Sequence, residues 1–166
     1  MRLLAWHFLP DDRRLRFGDP MPIDPGYVYT AHGKLRMCRW GMHASERAID
    51  ALAYAPGSMV CRVELSGEIL RGEDKSVARH REVIWMADAN RALHLWACDI
   101  AEETLRAHDI DDPRPWDAIR IKRLWADGQA SDADLAAAWD AARAAAWDAA
   151  RDAAWDAARA AARAAA

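Results

Sequence analysis

Residues 132–166 contain neither glycine nor proline and are more than half alanine. Alanine is the best helix former, and a run of this length repays the cost of nucleation, so the segment has one available structure: a single helix from about Ser131, which can cap it, to the C-terminus. Trp139, Trp147 and Trp155 recur every eight residues, with Arg143, Arg151 and Arg159 midway between them. Each Trp–Arg step is i,i+4, which allows an aromatic–guanidinium ladder, and Asp140, Asp148 and Asp156 stand three residues before those arginines for ion pairs. At about 100° per residue an eight-residue step advances about 80°, so the tryptophans wind around the helix. The alanines do not. Ala138, Ala142, Ala146, Ala149, Ala153, Ala157, Ala160 and Ala164 keep an 11-residue period, nearly a straight stripe, fit for close approach of another helix. The expected partner is the preceding helical region at its start and, further on, a second copy or a target protein; a helix projecting into solvent is the alternative.

Ahead of this helix the pattern is mixed. Residues 3–9 are apolar and end at Pro10-Asp11-Asp12, a strand and turn. Residues 18–26, GDPMPIDPG, must be a loop. Residues 27–30 are a short β-prone run, and residues 34–38 a weaker one. In residues 58–66 Met59, Cys61, Val63 and Leu65 alternate with Arg62, Glu64 and Ser66, as a half-buried strand requires, and residues 67–70 can bend and continue it. Residues 82–86, EVIWM, form another strand. From Asp88 the character is helical: Ala89, Leu93, Trp96, Ala97 and Ile100 form an apolar stripe. Residues 109–115, DIDDPRP, make a loop, with Pro115 at the first position of a second helix and Gly128 as its C-terminal cap. The fold class is therefore α+β. A small strand-rich head with one crossing helix spans residues 1–87, a helical pair residues 88–128, and a long Ala/Trp/Arg helix residues 129–166.

The formal charge of −3 over 166 residues argues against a general nucleic-acid binder. Residues 1–40 hold seven basic side chains against four acidic ones, a patch read as a solvated face. Three cysteines, Cys38, Cys61 and Cys98, with no CxxC pair, fit reduced thiols better than a disulfide framework. No apolar run approaches the roughly 20 residues that span a bilayer, and residues 1–14 lack a signal peptide's features. A cytoplasmic protein without a membrane partner is expected.

Chemistry centres on RWGMHASERAIDALAYAPG, residues 39–57. Gly41, His43 and Ser45 alternate at a strand-to-helix corner, with a strand near residues 36–38, the corner at residues 41–44 and the helix from Ser45. His43 reads first as a partly buried histidine bonded to nearby backbone, with ligand contact as the alternative, and Ser45 as the helix N-cap. No Ser/His/Asp triad is visible as a motif. Cys38 and His43 have no second pair at metal-ligand spacing, so no metal site is expected. The segment GEDKS lacks the glycines of a phosphate loop, which leaves Lys75 a turn lysine.

Residues 36–86 resemble a family of uncharacterised phage and prophage proteins. The resemblance rests on Cys38, Gly41-Met42-His43-Ala44-Ser45, Pro56, the alternating strand of residues 59–65, and Asp74-Lys75-Ser76. Residues 96–128 resemble a family named for immunity proteins, through Trp96, Cys98, Glu102, Asp111, Asp112, Arg114, Pro115, Ala118, Ile119, Trp125 and Gly128; Arg114 there reads as a cap and staple between helices. At the level of fold, Gly41-x-His43-x-Ser45 and the following helix are similar to ADP-ribosyltransferases. That similarity implies NAD as cofactor, with His7 on the first strand, His43, Ser45 and a glutamate, Glu82 or Glu64, in the site.

Two functions follow. The first is a non-catalytic phage- or prophage-type interaction protein that uses no cofactor and binds a host or defence protein, with Trp139, Arg143, Trp147, Arg151, Trp155 and Arg159 as binding surface and a homodimer through the alanine stripe as a further possibility. The second is an NAD-dependent transferase with a degenerate site.

Overall fold

The computed structural model describes residues 2–15 and 22–164. The chain is α+β and divides into two compact units, Met1–Asn90 and Arg91–Ala166. The helical pair and the long helix thus belong to one unit.

The first unit holds β1 (Arg2–Leu9), β2 (Val28–Thr30), β3 (Met42–Ala44), the short helix α1 (Ala48–Leu52), β4 (Met59–Arg71) and β5 (Ser76–Asp88). The sheet is antiparallel, in the order β1-β4-β5-β2, with β3 also on β5. β4 and β5 are 13 residues each and form one long hairpin, bulged between Arg62 and Val63 and between Ser66 and Ile69. Gly67, at φ 79°, sits in the second bulge. This is the bend and continuation expected at residues 67–70; an extra residue bends a strand and raises its twist. Ser45, just after β3, exchanges both backbone hydrogen bonds with Trp6 on the free edge of β1, at 2.7 and 2.9 Å, and joins the two sides of the sheet. Ala5, Leu9, Cys61, Val63, Leu65 and Val83 fill the inward face with Ile23, Ala44 and Ala78.

Three local expectations fail here. Residues 34–38 form no strand. Arg36 instead bridges Trp40 across a tight turn, because one residue on each side of a turn pairs more cheaply than an isolated strand with no neighbour. Ser45 is no N-cap: Arg47 occupies that position without a side-chain bond, and the buried Ser45 spends its backbone on Trp6. β5 starts six residues before the expected strand, since SVARHR carries no apolar alternation yet pairs through its backbone with β4 on one edge and with β2 and β3 on the other. Residues 16–21, which include the first four of the proline-rich loop, lie outside the described residues; Pro25-Gly26 is a turn with Gly26 at φ 84°.

The second unit contains α2 (Asn90–Ala107), α3 (Pro113–Ala126) and α4 (Asp132–Ala164). Among the described residues none of these helices is long and apolar enough to cross a membrane. Asp112 caps α3 by accepting the Arg114 N–H at 2.9 Å, and Pro113 rather than Pro115 takes the first position. Gly128, at φ 71°, closes α3 with Gly128 N–H to Trp125 O and Gln129 N–H to Leu124 O, a Schellman arrangement. Ser131 and Asp134 cap α4 reciprocally: Asp134 N–H donates to Ser131 Oγ at 3.2 Å, and Ser131 N–H to Asp134 Oδ2 at 2.9 Å. Helix α4 is uninterrupted from there, as expected; residues 165–166 lie outside the described residues.

The buried faces of these helices differ from the expected ones. In α2, Trp96, Ala97 and Ile100 are exposed, and the inner positions are those that meet α3. His94 stands edge-on to Trp125 at 5.0 Å, Cys98 Sγ contacts Ile119 O at 4.0 Å, and Glu102 takes Arg123 at 2.6 Å. Polar and ring contacts chose the face, which an apolar count does not weigh. In α4 the covered positions are Leu135, Ala138, Ala142 and Ala145, while Ala146, Ala149, Ala153, Ala157 and Ala160 are exposed. A 3-4-3 spacing holds a helix against a neighbour crossing at a small angle. It stops at Asp148 because α3, 14 residues and so about 21 Å long, ends there. Arg114, in the first turn of α3, grips both Asp112 at 2.6 Å and Asp148 at 2.9 Å, the staple expected of it.

Candidate functional site

The turn of residues 36–40 places Cys38 at φ 59° and leads into Gly41 at φ 131°. A Cβ on Gly41 would stand 2.3 Å from Val77 Cγ2 and 2.9 Å from Leu35 Cδ2, so only glycine lets this turn lie against β5. β3 then presents His43, whose two ring nitrogens both meet backbone: Nδ1 lies 3.0 Å from Gly41 O, and the Cys38 N–H donates to Nε2 at 3.1 Å. A carbonyl only accepts, so Nδ1 carries the proton and the ring is neutral. Burial lowers the His43 pKa below its ordinary 6.5, aided by Lys75 and Arg81, against the Gly41 bond that favours the charged form. His43 is thus the backbone-bonded histidine of the first reading; both nitrogens are committed to holding the turn.

Beside this turn lies the β4–β5 connection, closed by Gly72 N–H to Lys75 O at 2.9 Å. The Lys75 ammonium sits 3.6 Å from the centre of the Tyr54 ring, and the Tyr54 hydroxyl donates to Asp74. Against the desolvation that opposes it, bonding to Tyr54 and to the Cys38 thiol raises the Lys75 pKa, while the Tyr54 bond draws that of Asp74 down. Cys38, Asp74 and Lys75, far apart in sequence, therefore form one surface cluster with His43 beneath. Tyr54 completes it, and nothing in its helical context marked it out.

A second group of polar side chains lies inside the sheet. His7 on β1 opposes Cys61 on β4, and Arg81 on β5 opposes Leu65, all on the inward face. Burial pushes the Cys61 thiol up to about 11 and Arg81 down to about 10. The His7 pKa falls well below 6.5, first from burial and then from Arg81 and His43 nearby. Arg81 is only 2% exposed, and its Nη1 donates to His43 O at 2.9 Å. The sequence carried a signal for it: Arg81 shares the parity of the buried Val83, so a charge falls at an inward position.

Of the four residues assigned to a transferase site, His7 and His43 lie near Arg81, and Ser45 contributes backbone to the bridge with Trp6. Glu82 does not join them. It opposes Glu64 and Val28 on the outward face, where Arg2 pairs with Glu64 and Arg62 covers Trp6. Period-two alternation sets His7 and Glu82, or Glu64, on opposite sides of one sheet, so they cannot act on one substrate.

On α4 the three aspartate–arginine pairs form as spaced: Arg143–Asp140 at 3.2 Å, Arg151–Asp148 at 3.0 Å and Arg159–Asp156 at 4.0 Å. The aromatic–guanidinium ladder does not form among the described residues; each arginine leans back to its aspartate instead of forward to a tryptophan. Trp139, Trp147 and Trp155 are left 52%, 72% and 61% exposed. Among the described residues no group of three or more His, Cys, Asp or Glu converges to hold a metal ion.

Residues 16–95 match the family described as "Domain of unknown function (DUF7666)". That stretch contains the Cys38–Tyr54–Asp74–Lys75 cluster, His43 and Arg81, whereas His7, α3 and α4 lie outside it. No curated protein and no solved structure matches the chain.

Proposed function

We propose that the chain is a non-catalytic interaction protein that binds another protein, of the host or defence class implied by its phage-type resemblance, through the Trp/Arg face of α4. The observation that carries this reading is the exposure of that face: three tryptophans stand in solvent, and every described residue from 149 to 161 is exposed. Tryptophan is the side chain most enriched among dominant contacts at protein interfaces, and aspartate-paired arginines keep such a surface in solution. The exposed alanines of the same stretch leave room for a second copy, so a homodimer is a variant of this reading. Transfer from NAD is the weaker alternative, since its glutamate and His7 lie on opposite faces of the sheet.

Replacing Trp139, Trp147 and Trp155 together by alanine preserves the helix and removes the anchors. From a lysate of the source cell, the wild-type chain should retain one stoichiometric protein that the triple variant loses, while both melt at the same temperature. Retention of the same proteins by both forms overturns the reading. ADP-ribose transfer from labelled NAD by the purified chain overturns it in favour of the enzyme.

A further inference from the structure

Arg81 stands apart from every other arginine of its unit that lies near the core. Its Nη1 is anchored on the His43 carbonyl, but Nε and Nη2 are buried and have no hydrogen-bond partner among the described residues. These two atoms form the side-on edge of the guanidinium, where two N–H bonds run parallel and match two oxygens of one carboxylate or phosphate. Two residues earlier, Arg79 shows how this fold satisfies a structural arginine: Nη1 donates to the carbonyls of Ala31, at 3.0 Å, and Gly33, and Nη2 to Glu68 at 2.6 Å. Among the described residues no carboxylate acts on Arg81; the groups that do are Cys61 and Tyr29. His7 is neutral by its depressed pKa, Cys61 is a protonated thiol, and the Tyr29 hydroxyl accepts the Asp24 N–H at 3.0 Å. A buried cation with an empty donor edge costs more than an apolar side chain of its size would. His7 and His43, both intermediate in exposure, are the histidines beside it.

We propose that Arg81 is the receptor for an oxyanion, a carboxylate or phosphate group taken bidentately on its Nε–Nη2 edge within the sheet of residues 1–90. Recognition is by shape as well as charge: Nη1 fixes the guanidinium plane, the fork sets the direction of approach, and the neutral surroundings leave the oxyanion no competing cation. The site is independent of the α4 surface, and either assignment stands if the other fails.

The test follows the Arg81 Nε–H resonance and the melting temperature of the ¹⁵N-labelled chain during titration with inorganic phosphate, acetate and chloride at constant ionic strength. Phosphate or acetate, but not chloride, should move the resonance saturably and raise the melting temperature. A response to phosphate alone assigns a phosphate ligand, and one to acetate alone a carboxylate. Arg81→Lys keeps the charge without the fork and should weaken binding about tenfold or more. Arg81→Met should abolish the response and, in chloride, be at least as stable as the wild type. An equal response to chloride, an unmoved Nε–H signal, or undiminished affinity in Arg81→Lys overturns the proposal; the wild-type titration and the lysine variant decide it even where the methionine variant fails to fold.

Discussion

In the sheet of residues 1–90 the decisive polar groups lie inside, singly, and are held by backbone: His43 between Cys38 N–H and Gly41 O, and Arg81 on His43 O. In residues 91–166 they lie on the surface in pairs or triplets, as in Arg114 with Asp112 and Asp148 or Arg123 with Asp99 and Glu102. The difference follows from secondary structure. In a sheet the carbonyls and amides of adjoining strands stand beside every inward side chain, so a polar group there bonds first to backbone. Helices meet along a seam, and long charged side chains reach across its rim, where water shares the cost of each charge. The first arrangement is the less tolerant of protons.

The sharpest way to break that contrast is Gly41→Ala. The added Cβ meets Val77 and Leu35 at a φ that L residues avoid, so the head should lose about 3 kcal/mol or more while the helical unit keeps its melting temperature. Separate transitions followed by near-ultraviolet circular dichroism and by helical signal would report it; equal losses in both units would refute the division of labour. Next in size is Ala145→Leu. Ala145 is 5% exposed on the α3–α4 seam, and overpacking there should cost about 2 kcal/mol, whereas Ala149→Leu, four residues on and exposed, should cost almost nothing. Equal effects in denaturant titration would mean that the seam runs along the 11-residue stripe after all.

The smallest expected effect separates the units by pH. His7 and His43 have folded-state pKa values below 6.5, so the unfolded chain binds protons first on acidification. Head stability is complete above about pH 6.5 and declines as pH falls below it. The carboxylates of Asp112 and Asp148 are held below their ordinary 3.8 by Arg114, so their contribution persists until the pH falls beneath that value. In the helical unit His94, also lowered by desolvation and by Lys122, works in the same direction. Between pH 7 and 5 the head, with two such histidines, should therefore lose more melting temperature than the helical unit, and His7→Leu should flatten the slope for the head. A helical unit that loses as much over that interval would remove the comparison's electrostatic basis.

What the sequence determined by itself is what local chemistry decides. The glycine- and proline-free alanine run can only be a helix, Ser131 and Gly128 cap the helices they adjoin, the alternation of residues 59–65 is a strand, and the Asp–Arg spacing yields its ion pairs. The proximity of Cys38, His43 and Lys75 was not legible in the sequence, because no spacing between separate segments states a contact. Tertiary structure alone decided the rest. A serine before a helix caps it unless its backbone is claimed elsewhere, and Trp6 claims that of Ser45. An alanine stripe faces a partner only as far as the partner extends, and α3 ends opposite Asp148. A histidine and a glutamate on strands of one sheet share a site only if register gives them one face, and the register of β1, β4 and β5 separates His7 from Glu82. The common reason is that register, edge and length belong to pairs of elements, and Arg81 shows it most plainly: an ordinary charge in the string SVARHREV, it becomes a cation turned into the core only when β4, β2 and β3 close around it.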